Sequence, residues 1–282
     1  MNNLQIPSAP VVSISSTKPI EIYAFIDPLC SSCFDLQPIL RKLQVEYEQY
    51  FTLRLVLSTK LSNLNLLCKN ESINDDDFTH SSLPSIAIKA AELQGKRVGM
   101  RFLQKLQEQL FLDTKSVATY SSLISIAEQA QLDIQEFKSD IYSNEAKRAF
   151  QCDLYISREM NVNESPSIVF FNEHIEDEGL KITGLYSYKV YEKVLAEMLD
   201  MELFPQDPPT LDELFLRYQS LSTNEIASIY GVTKYAAECE LKKRMLLQQL
   251  ERIPLVDTNH WRLKTYSQEN NNTHRMSSLM SR

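Results

Sequence analysis

Glycine and tryptophan are scarce in this sequence, which has five glycines and one tryptophan in 282 residues. Glycine-lined phosphate loops and folds built from tight turns need backbone conformations that glycine supplies most readily. The composition therefore argues against a nucleotide-binding loop, and neither a phosphate-loop motif nor a nucleophile elbow is present. Frequent Leu, Gln, Glu and Lys favour helices, so more helix than strand is expected.

Long hydrophobic runs are also missing. No stretch approaches the roughly 20 apolar residues that a membrane-spanning helix requires, and residues 1–20 lack the basic start of a signal peptide. The number of cysteines is odd, which fits a reducing compartment better than a disulfide framework. The cysteines are Cys30, Cys33, Cys68, Cys152 and Cys239. We therefore expect a cytoplasmic protein.

The sequence contains one closely spaced pair of potential metal ligands, Cys30 and Cys33, which form a CxxC motif. A closed zinc site needs four ligands and usually a second closely spaced pair. The other candidate ligands are scattered along the chain: Cys68, Cys152, Cys239, His80, His174, His260 and His274. We expect no metal and no cofactor, although convergence of distant cysteines and histidines in the fold stays open.

The CxxC lies between a predicted strand, Pro19 to Ile26, and a predicted helix that begins at Cys30 and contains Pro38. A thiol at a helix N-terminus faces unpaired backbone N–H groups, which favour the thiolate and attack on a disulfide. The surroundings oppose this chemistry, because no His lies between the cysteines and Asp27 and Asp35 flank them. Redox cycling and a reduced structural pair both remain open.

The rest of the sheet is predicted from three further strands, at residues 51–57, 168–171 and 180–183. Residues 60–83 are expected to form a loop, residues 84–160 a block of helices, and residues 187–201 a last helix. Ser165-Pro166 directly precedes the strand at 168–171. Residues 20–200 resemble the DsbA-like branch of the thioredoxin superfamily, in which a helical domain separates the CxxC from a cis proline. This resemblance makes Cys30, Cys33 and Pro166 the candidate redox residues.

A proline-rich segment, residues 204–210, indicates a linker. We predict an α/β, thioredoxin-like (DsbA-type) domain over residues 19–203 with a helical insertion at about 60–160, and a small, mainly helical, winged-helix-like domain over 211–265. The remaining segments, 1–18 and 266–282, are expected to be flexible. In the second domain we expect helices at 211–220, 223–230 and 233–250, then an irregular stretch from Pro254 to Trp261.

Residues 221–233 resemble a helix-turn-helix. Ser222 and Glu225 fit a capping box, Gly231 fits the turn, and Thr233 can cap the next helix. Residues 205–282 hold ten Lys and Arg against nine Asp and Glu, whereas residues 1–204 hold 19 against 28. A DNA-binding helix normally presents a clearly basic face, so this balance argues against DNA and favours a packing or docking role.

These features together are similar to the SpxH (YjbH) family of low-GC Gram-positive bacteria. The likeness rests on residues 27–34 (DPLCSSCF), residues 165–167, the proline-rich linker and the helix-turn-helix-like region that ends near residues 260–262. The resemblance implies an adaptor that binds the thioredoxin-like stress regulator Spx and promotes its degradation by the ClpXP protease. The lack of long apolar runs separately predicts that no membrane is bound. The alternative is a cytoplasmic DsbA-like thiol-disulfide oxidoreductase that uses Cys30 and Cys33.

Overall fold

A computed structural model describes residues 18–58, 82–112, 115–117, 119–172, 179–254 and 259–264. The chain divides into two compact units. The first consists of Met1–Ile39 and Tyr47–Phe204, and the second of Leu40–Glu46 and Pro205–Arg282. Residues 40–46 are part of the first long helix of the chain, yet they belong to the second unit. The predicted domain boundary at residues 204–210 did not anticipate this.

A four-stranded mixed sheet forms the centre of the first unit. Its strands are β1 (Ile20–Ile26), β2 (Phe51–Leu57), β3 (Ser167–Phe171) and β4 (Leu180–Thr183), in the order β2-β1-β3-β4. β1 is parallel to β2 and antiparallel to β3, and β3 is antiparallel to β4. β-Branched and aromatic residues dominate β1, which suits a strand that has a partner on each side. The predicted strands are confirmed.

The described residues between β2 and β3 are mainly helical, as the spacing of apolar residues predicted. They are α2 (Leu83–Leu93), α3 (Lys96–Gln107), a π-helical turn (Glu108–Leu112), α4 (Tyr120–Gln129), α5 (Ile134–Asp140) and α6 (Asn144–Glu159). Their apolar faces meet in one core, in which the rings of Phe102 and Phe137 lie 5.2 Å apart. The helical insertion of the predicted fold is therefore present. Most of the predicted loop at 60–83 lies outside the described residues.

Two further helices directly follow strands of this sheet in the sequence. α1 (Ser31–Tyr47) follows β1 and contains Pro38, and α7 (Tyr188–Leu199) follows β4. No helix among the described residues is long and apolar enough to cross a membrane. The segments expected to be flexible, 1–18 and 266–282, fall almost wholly outside the described residues.

The second unit combines helices with a small antiparallel sheet. Its elements are α8 (Leu211–Tyr218), β5 (Ser220–Ser222), α9 (Thr223–Tyr230), α10 (Lys234–Leu246), β6 (Leu250–Pro254) and β7 (Asn259–Leu263). The strand order is β5-β7-β6, with both pairs antiparallel. The predicted helix at 233–250 is too long, because α10 ends at Leu246 and β6 begins at Leu250. The expected irregular stretch from Pro254 to Trp261 is wrong at both ends, where β6 includes Pro254 and β7 begins at Asn259, and residues 255–258 lie outside the described residues. Strands this short depend on pairing with their neighbours, and they contain too few residues to show a clear alternation of apolar and polar side chains.

Specific side chains fix the elements of the second unit. The capping box is confirmed, since Ser222 Oγ accepts from Glu225 N at 3.1 Å and Glu225 Oε2 accepts from Ser222 N at 2.8 Å. Gly231 ends α9 at a φ of 62°, a left-handed conformation that glycine adopts without strain. The indole of Trp261 is buried, and its Nε1 donates to Thr223 Oγ1 at 2.8 Å. Arg41 donates to Glu225 Oε1 at 3.0 Å.

Candidate functional site

The CxxC stands at the junction of β1 and α1. Asp27 Oδ1 accepts from Leu29 N at 2.9 Å, and Cys30 N donates to the Asp27 carbonyl at 3.1 Å, which together form the turn. Cys30 is the N-cap residue of α1, and Cys33 lies in its first turn. Both thiols are free; Cys30 is partly exposed, whereas Cys33 is buried. A reagent from solution would therefore meet Cys30 first.

Burial dominates the electrostatics of Cys33. The loss of solvation raises the pKa of the Cys33 thiol well above its ordinary value. The backbone N–H of Asp27, 3.4 Å from Cys33 Sγ, opposes this shift in the pKa but does not cancel it. The neighbouring Cys30 raises the pKa further, and the negative charge of Asp27 adds a smaller increase, in the direction expected for an acid beside the motif. Cys33 is accordingly held as a neutral thiol at physiological pH.

The segment before β3 completes the site. The Ser165–Pro166 peptide bond is cis. Cys30 Sγ lies 3.8 Å from the Ser165 carbonyl oxygen, and the Pro166 carbonyl accepts from Gly184 N at 2.8 Å. The Ser165 hydroxyl hydrogen-bonds the Ser58 hydroxyl. The structure thus brings together Cys30, Cys33 and Pro166, the three residues singled out in the sequence.

The helical insertion contacts the CxxC turn through α3 and the π-helical turn. The buried Gln107, the last residue of α3, donates through Nε2 to the Pro28 carbonyl at 3.4 Å and accepts from Gln37 Nε2. Phe111 of the π-helical turn stacks on Phe34 with ring centroids 5.2 Å apart. π-Helical turns occur frequently at functional sites. These contacts hold the CxxC turn from the side of the insertion.

A buried ion pair lies at the end of β2. Lys89 Nζ is 2.6 Å from Asp153 Oδ2 and 2.9 Å from Glu92 Oε2, and Asp153 Oδ2 also accepts from Leu57 N at 2.8 Å. Burial lowers the pKa of Lys89, but attraction to Asp153 and Glu92 outweighs it, so the net pKa is raised. Burial raises the pKa of Asp153 against the opposing effect of Lys89. The pair fixes α2 and α6 to the strand that precedes Ser58.

Several of these contact residues were missed by the sequence analysis. Asp153 and Ser157 continue the helical spacing of Ala146 and Phe150, so two polar residues on an apolar stripe were a usable signal. Lys89 occupies a comparable position in α2, three residues after a core residue. Nothing in the sequence marked Gln107, because a single glutamine within a polar helix has no distinguishing pattern.

The helix expected to read DNA bases, had this unit bound DNA, is α10. Its cations are largely paired with acids: Lys242 Nζ lies 3.0 Å from Glu238 Oε1, and Lys243 Nζ lies 3.3 Å from Glu240 Oε2. Arg244 forms ion pairs with Asp212 and Glu240. Cations already paired with carboxylates are poorly disposed to neutralise phosphates. This pairing agrees with the near balance of charge in the sequence.

No group of three or more potential metal-ligating side chains occurs within the part of the chain that the structure describes. Cys152, Cys239 and His260 are described, whereas Cys68, His80, His174 and His274 lie outside it. The described site presents two free thiols next to a cis proline. It can form a disulfide, or it can serve as part of a binding surface.

Comparison with known proteins relates both units to one group. A family model described as thioredoxin matches residues 23–193. The chain is 40% identical to the ClpXP adapter protein SpxH of Halalkalibacterium halodurans over 272 residues, which cover 87% of this chain and 89% of that protein. It is 37% identical to the SpxH of Bacillus subtilis over 275 residues, covering 89% and 92%. The oxidoreductase DsbA of Xylella fastidiosa aligns with a TM-score of 0.48 and 13% identity over 68% of this chain and 90% of that one.

Proposed function

We propose, on the premise that this chain belongs to the SpxH family of thioredoxin-fold proteins, that it is a cytoplasmic adaptor that binds the stress regulator Spx and promotes its degradation by ClpXP. One observation carries the proposal. The thioredoxin model ends at residue 193, whereas the similarity to the SpxH proteins covers 87% or more of this chain. The second unit is therefore shared with the adapter proteins and is not explained by the thioredoxin fold alone.

The geometry of the CxxC supports a binding role. An adaptor needs a surface for its substrate and forms no covalent bond, so it does not require an ionised thiol. Burial raises the pKa of Cys33 further above neutral pH, which disfavours the thiolate that would resolve a mixed disulfide. The site keeps the shape of a redox centre, with its second thiol poorly disposed to react.

Exposed apolar side chains lie close in sequence to the atoms of this site. Leu29 directly precedes Cys30 and has 37% of its surface exposed. Leu185 and Tyr186 are also exposed and directly follow Gly184, whose N–H donates to the Pro166 carbonyl. Exposed apolar residues next to a functional site are typical of protein-binding surfaces. We place the regulator-binding surface at these side chains.

The experiment is degradation of purified Spx by ClpXP with ATP, in the presence and absence of this protein. We expect the wild type and the Cys30→Ala/Cys33→Ala double variant to accelerate the loss of Spx equally. Cys152→Ala, which removes an exposed cysteine on α6, is the matched control. A ClpXP substrate that carries its own degradation tag should be unaffected. If neither the wild type nor the double variant accelerates degradation, the adaptor proposal is wrong.

The binding surface has its own test in the same assay. Tyr186→Glu places a charge on the proposed surface and should reduce the acceleration, because burying an unpaired carboxylate is costly. Tyr155→Glu makes the same change at an exposed tyrosine on α6 and should leave degradation unchanged. Equal activity of the two variants would exclude Tyr186 from the surface.

A thiol-disulfide oxidoreductase is the second candidate function, and the partly exposed Cys30 beside a cis proline favours it. In that reaction the Cys30 thiolate would attack a disulfide and release one thiol. Cys33 would then resolve the mixed disulfide and release the second thiol, leaving Cys30 and Cys33 oxidised. Turnover in an insulin reduction assay with dithiothreitol, which reduces the Cys30–Cys33 disulfide after each cycle, would establish this activity if it is lost in Cys30→Ser.

A further inference from the structure

A basic stripe with an aromatic side chain runs along α10 in the second unit. Lys234, Glu238 and Lys242 are four residues apart, and Tyr235 is three residues before Glu238. At 3.6 residues per turn these four side chains fall within roughly 100° of the helix circumference, so they share one face. Tyr235 has 77% of its surface exposed, an unusual fraction for an aromatic residue, and Lys234 and Lys242 are exposed as well.

β6 adds a third cation to this face. The pKa of Glu238 is lowered first by the hydrogen bond and charge of Lys242 and then by the charges of Arg252 and Lys234. Geometry supports this placement: Arg252 is two residues after Leu250 in β6, so both lie on the same face of the strand, and Leu250 packs in one core with Ala237 and Leu241 of α10. Three cations and one acid give the stripe a local charge of about +2, although the whole unit is close to neutral.

Two of the three cations remain available. Lys242 pairs with Glu238, but Lys234 and Arg252 form no ion pair with any residue that the structure describes. Arg252 is held by one neutral hydrogen bond, from its Nε to Asn259 Oδ1 at 2.9 Å. Val232, in the turn before α10, adds a second exposed apolar side chain to the end of the stripe that holds Lys234 and Tyr235. The face thus offers free positive charge at one end beside exposed apolar surface.

We infer that this face, formed by Val232, Lys234, Tyr235, Lys242 and Arg252, binds an acidic segment of a partner protein that carries an apolar side chain. Carboxylates of the segment pair with the two free cations, and its apolar side chain packs against Tyr235 and Val232. This inference does not depend on the identity of the regulator.

A protein segment fits this face better than a nucleic acid does. A DNA-reading helix uses its first turn for base contacts and needs several unpaired cations for phosphates. The first turn of α10 presents one free lysine, Lys234, beside Tyr235, and Lys242, Lys243 and Arg244 are paired with carboxylates. Tyrosine is enriched at protein interfaces because its ring supplies contact area at a low entropic cost.

The test uses the full-length protein and a display library of short random peptides. We expect the enriched peptides to be acidic and to contain an aromatic or aliphatic residue. A fluorescein-labelled enriched peptide should bind about tenfold more weakly to Lys234→Glu and to Tyr235→Ala. Lys243→Glu is the matched control, because it makes the same charge change on the opposite side of α10, and it should bind within about twofold of the wild type.

Salt and DNA complete the test. Peptide binding should weaken between about 50 mM and about 300 mM salt, because the contacts between the lysines and the carboxylates are exposed and screened. Enriched peptides without excess acidic residues, or equal binding by Lys234→Glu, Tyr235→Ala and Lys243→Glu, would overturn the inference. Binding of a random-sequence DNA duplex that is lost in Lys234→Glu would also overturn it and assign the face to nucleic acid.

Discussion

Replacing Asp153 by leucine should strongly destabilise the first unit. The side chain of its partner Lys89 is only 6% exposed and would keep one ion pair, to the more exposed Glu92. Removing one partner of a buried ion pair costs about 3 to 5 kcal/mol, and the remaining contact with Glu92 places the expected cost near 3 kcal/mol. The Leu57 N–H would also lose its acceptor.

The double variant Asp153→Leu/Lys89→Met separates the cost of the buried charge from the cost of the lost hydrogen bond to Leu57 N. It leaves no buried charge, and the main remaining penalty is the unpaired Leu57 N–H, which costs about 1 to 3 kcal/mol. The double variant should therefore be more stable than Asp153→Leu by about 2 kcal/mol.

Urea unfolding followed by far-ultraviolet circular dichroism measures these free energies of unfolding. The fluorescence of Trp261, the single tryptophan, reports separately on the second unit. Glu197→Ala removes one partner of an exposed ion pair with Lys193 and should change stability by less than about 0.5 kcal/mol. If Asp153→Leu costs no more than Glu197→Ala, or if the double variant is less stable than Asp153→Leu, the assignment of a buried ion pair is refuted.

Three further predictions concern the second unit. Thr223→Val should lower its stability by about 1 to 3 kcal/mol, because the buried Trp261 Nε1–H loses its acceptor, and urea-dependent tryptophan fluorescence measures the loss. Gly231→Ala should cost about 1 kcal/mol through its positive φ alone, since no atom lies within 4 Å of the added Cβ, and Gly231→Asn should cost less in thermal unfolding. The hydrogen bond from Thr210 lowers the pKa of the Glu213 carboxyl. The stability that the ionised Glu213 contributes is therefore present above its ordinary pKa of 4.5 and is lost as the pH falls through the folded-state pKa. An NMR titration of Glu213 should show a midpoint below 4.5 that rises in Thr210→Val.

The strands and helices of the first unit followed from the sequence because local patterns determine them. β1 is a continuous β-branched and aromatic run, and residues 83–159 repeat apolar residues at helical spacing. The CxxC and Ser165-Pro166 could be identified for the same reason, since each is a short motif at the end of a strand. The family resemblance predicted that the two motifs lie close together, and in the structure Cys30 Sγ lies 3.8 Å from the Ser165 carbonyl oxygen.

The features that sequence analysis missed depend on partners distant in the chain. β7 was not predicted because its hydrogen bonds come from β5 and β6, which lie on either side of it in the sheet. Gln107 and Lys89 acquire their roles only when Pro28 and Asp153 are placed beside them. Residues 40–46 belong to the second unit through contacts such as that of Arg41 with Glu225, 184 residues later.

The hydrogen bond between Ser58 and Ser165 is relevant to how far the segment between β2 and β3 can vary in length. These residues are 107 positions apart, yet the chain leaves the sheet and returns to it at the same corner. The entropic cost of closing a loop grows only with the logarithm of its length, so the sheet tolerates intervening segments of very different size. A change in the length of the segment between β2 and β3 therefore carries a small entropic cost, as long as the contacts of Asp153 with Leu57 and of Gln107 with Pro28 are kept.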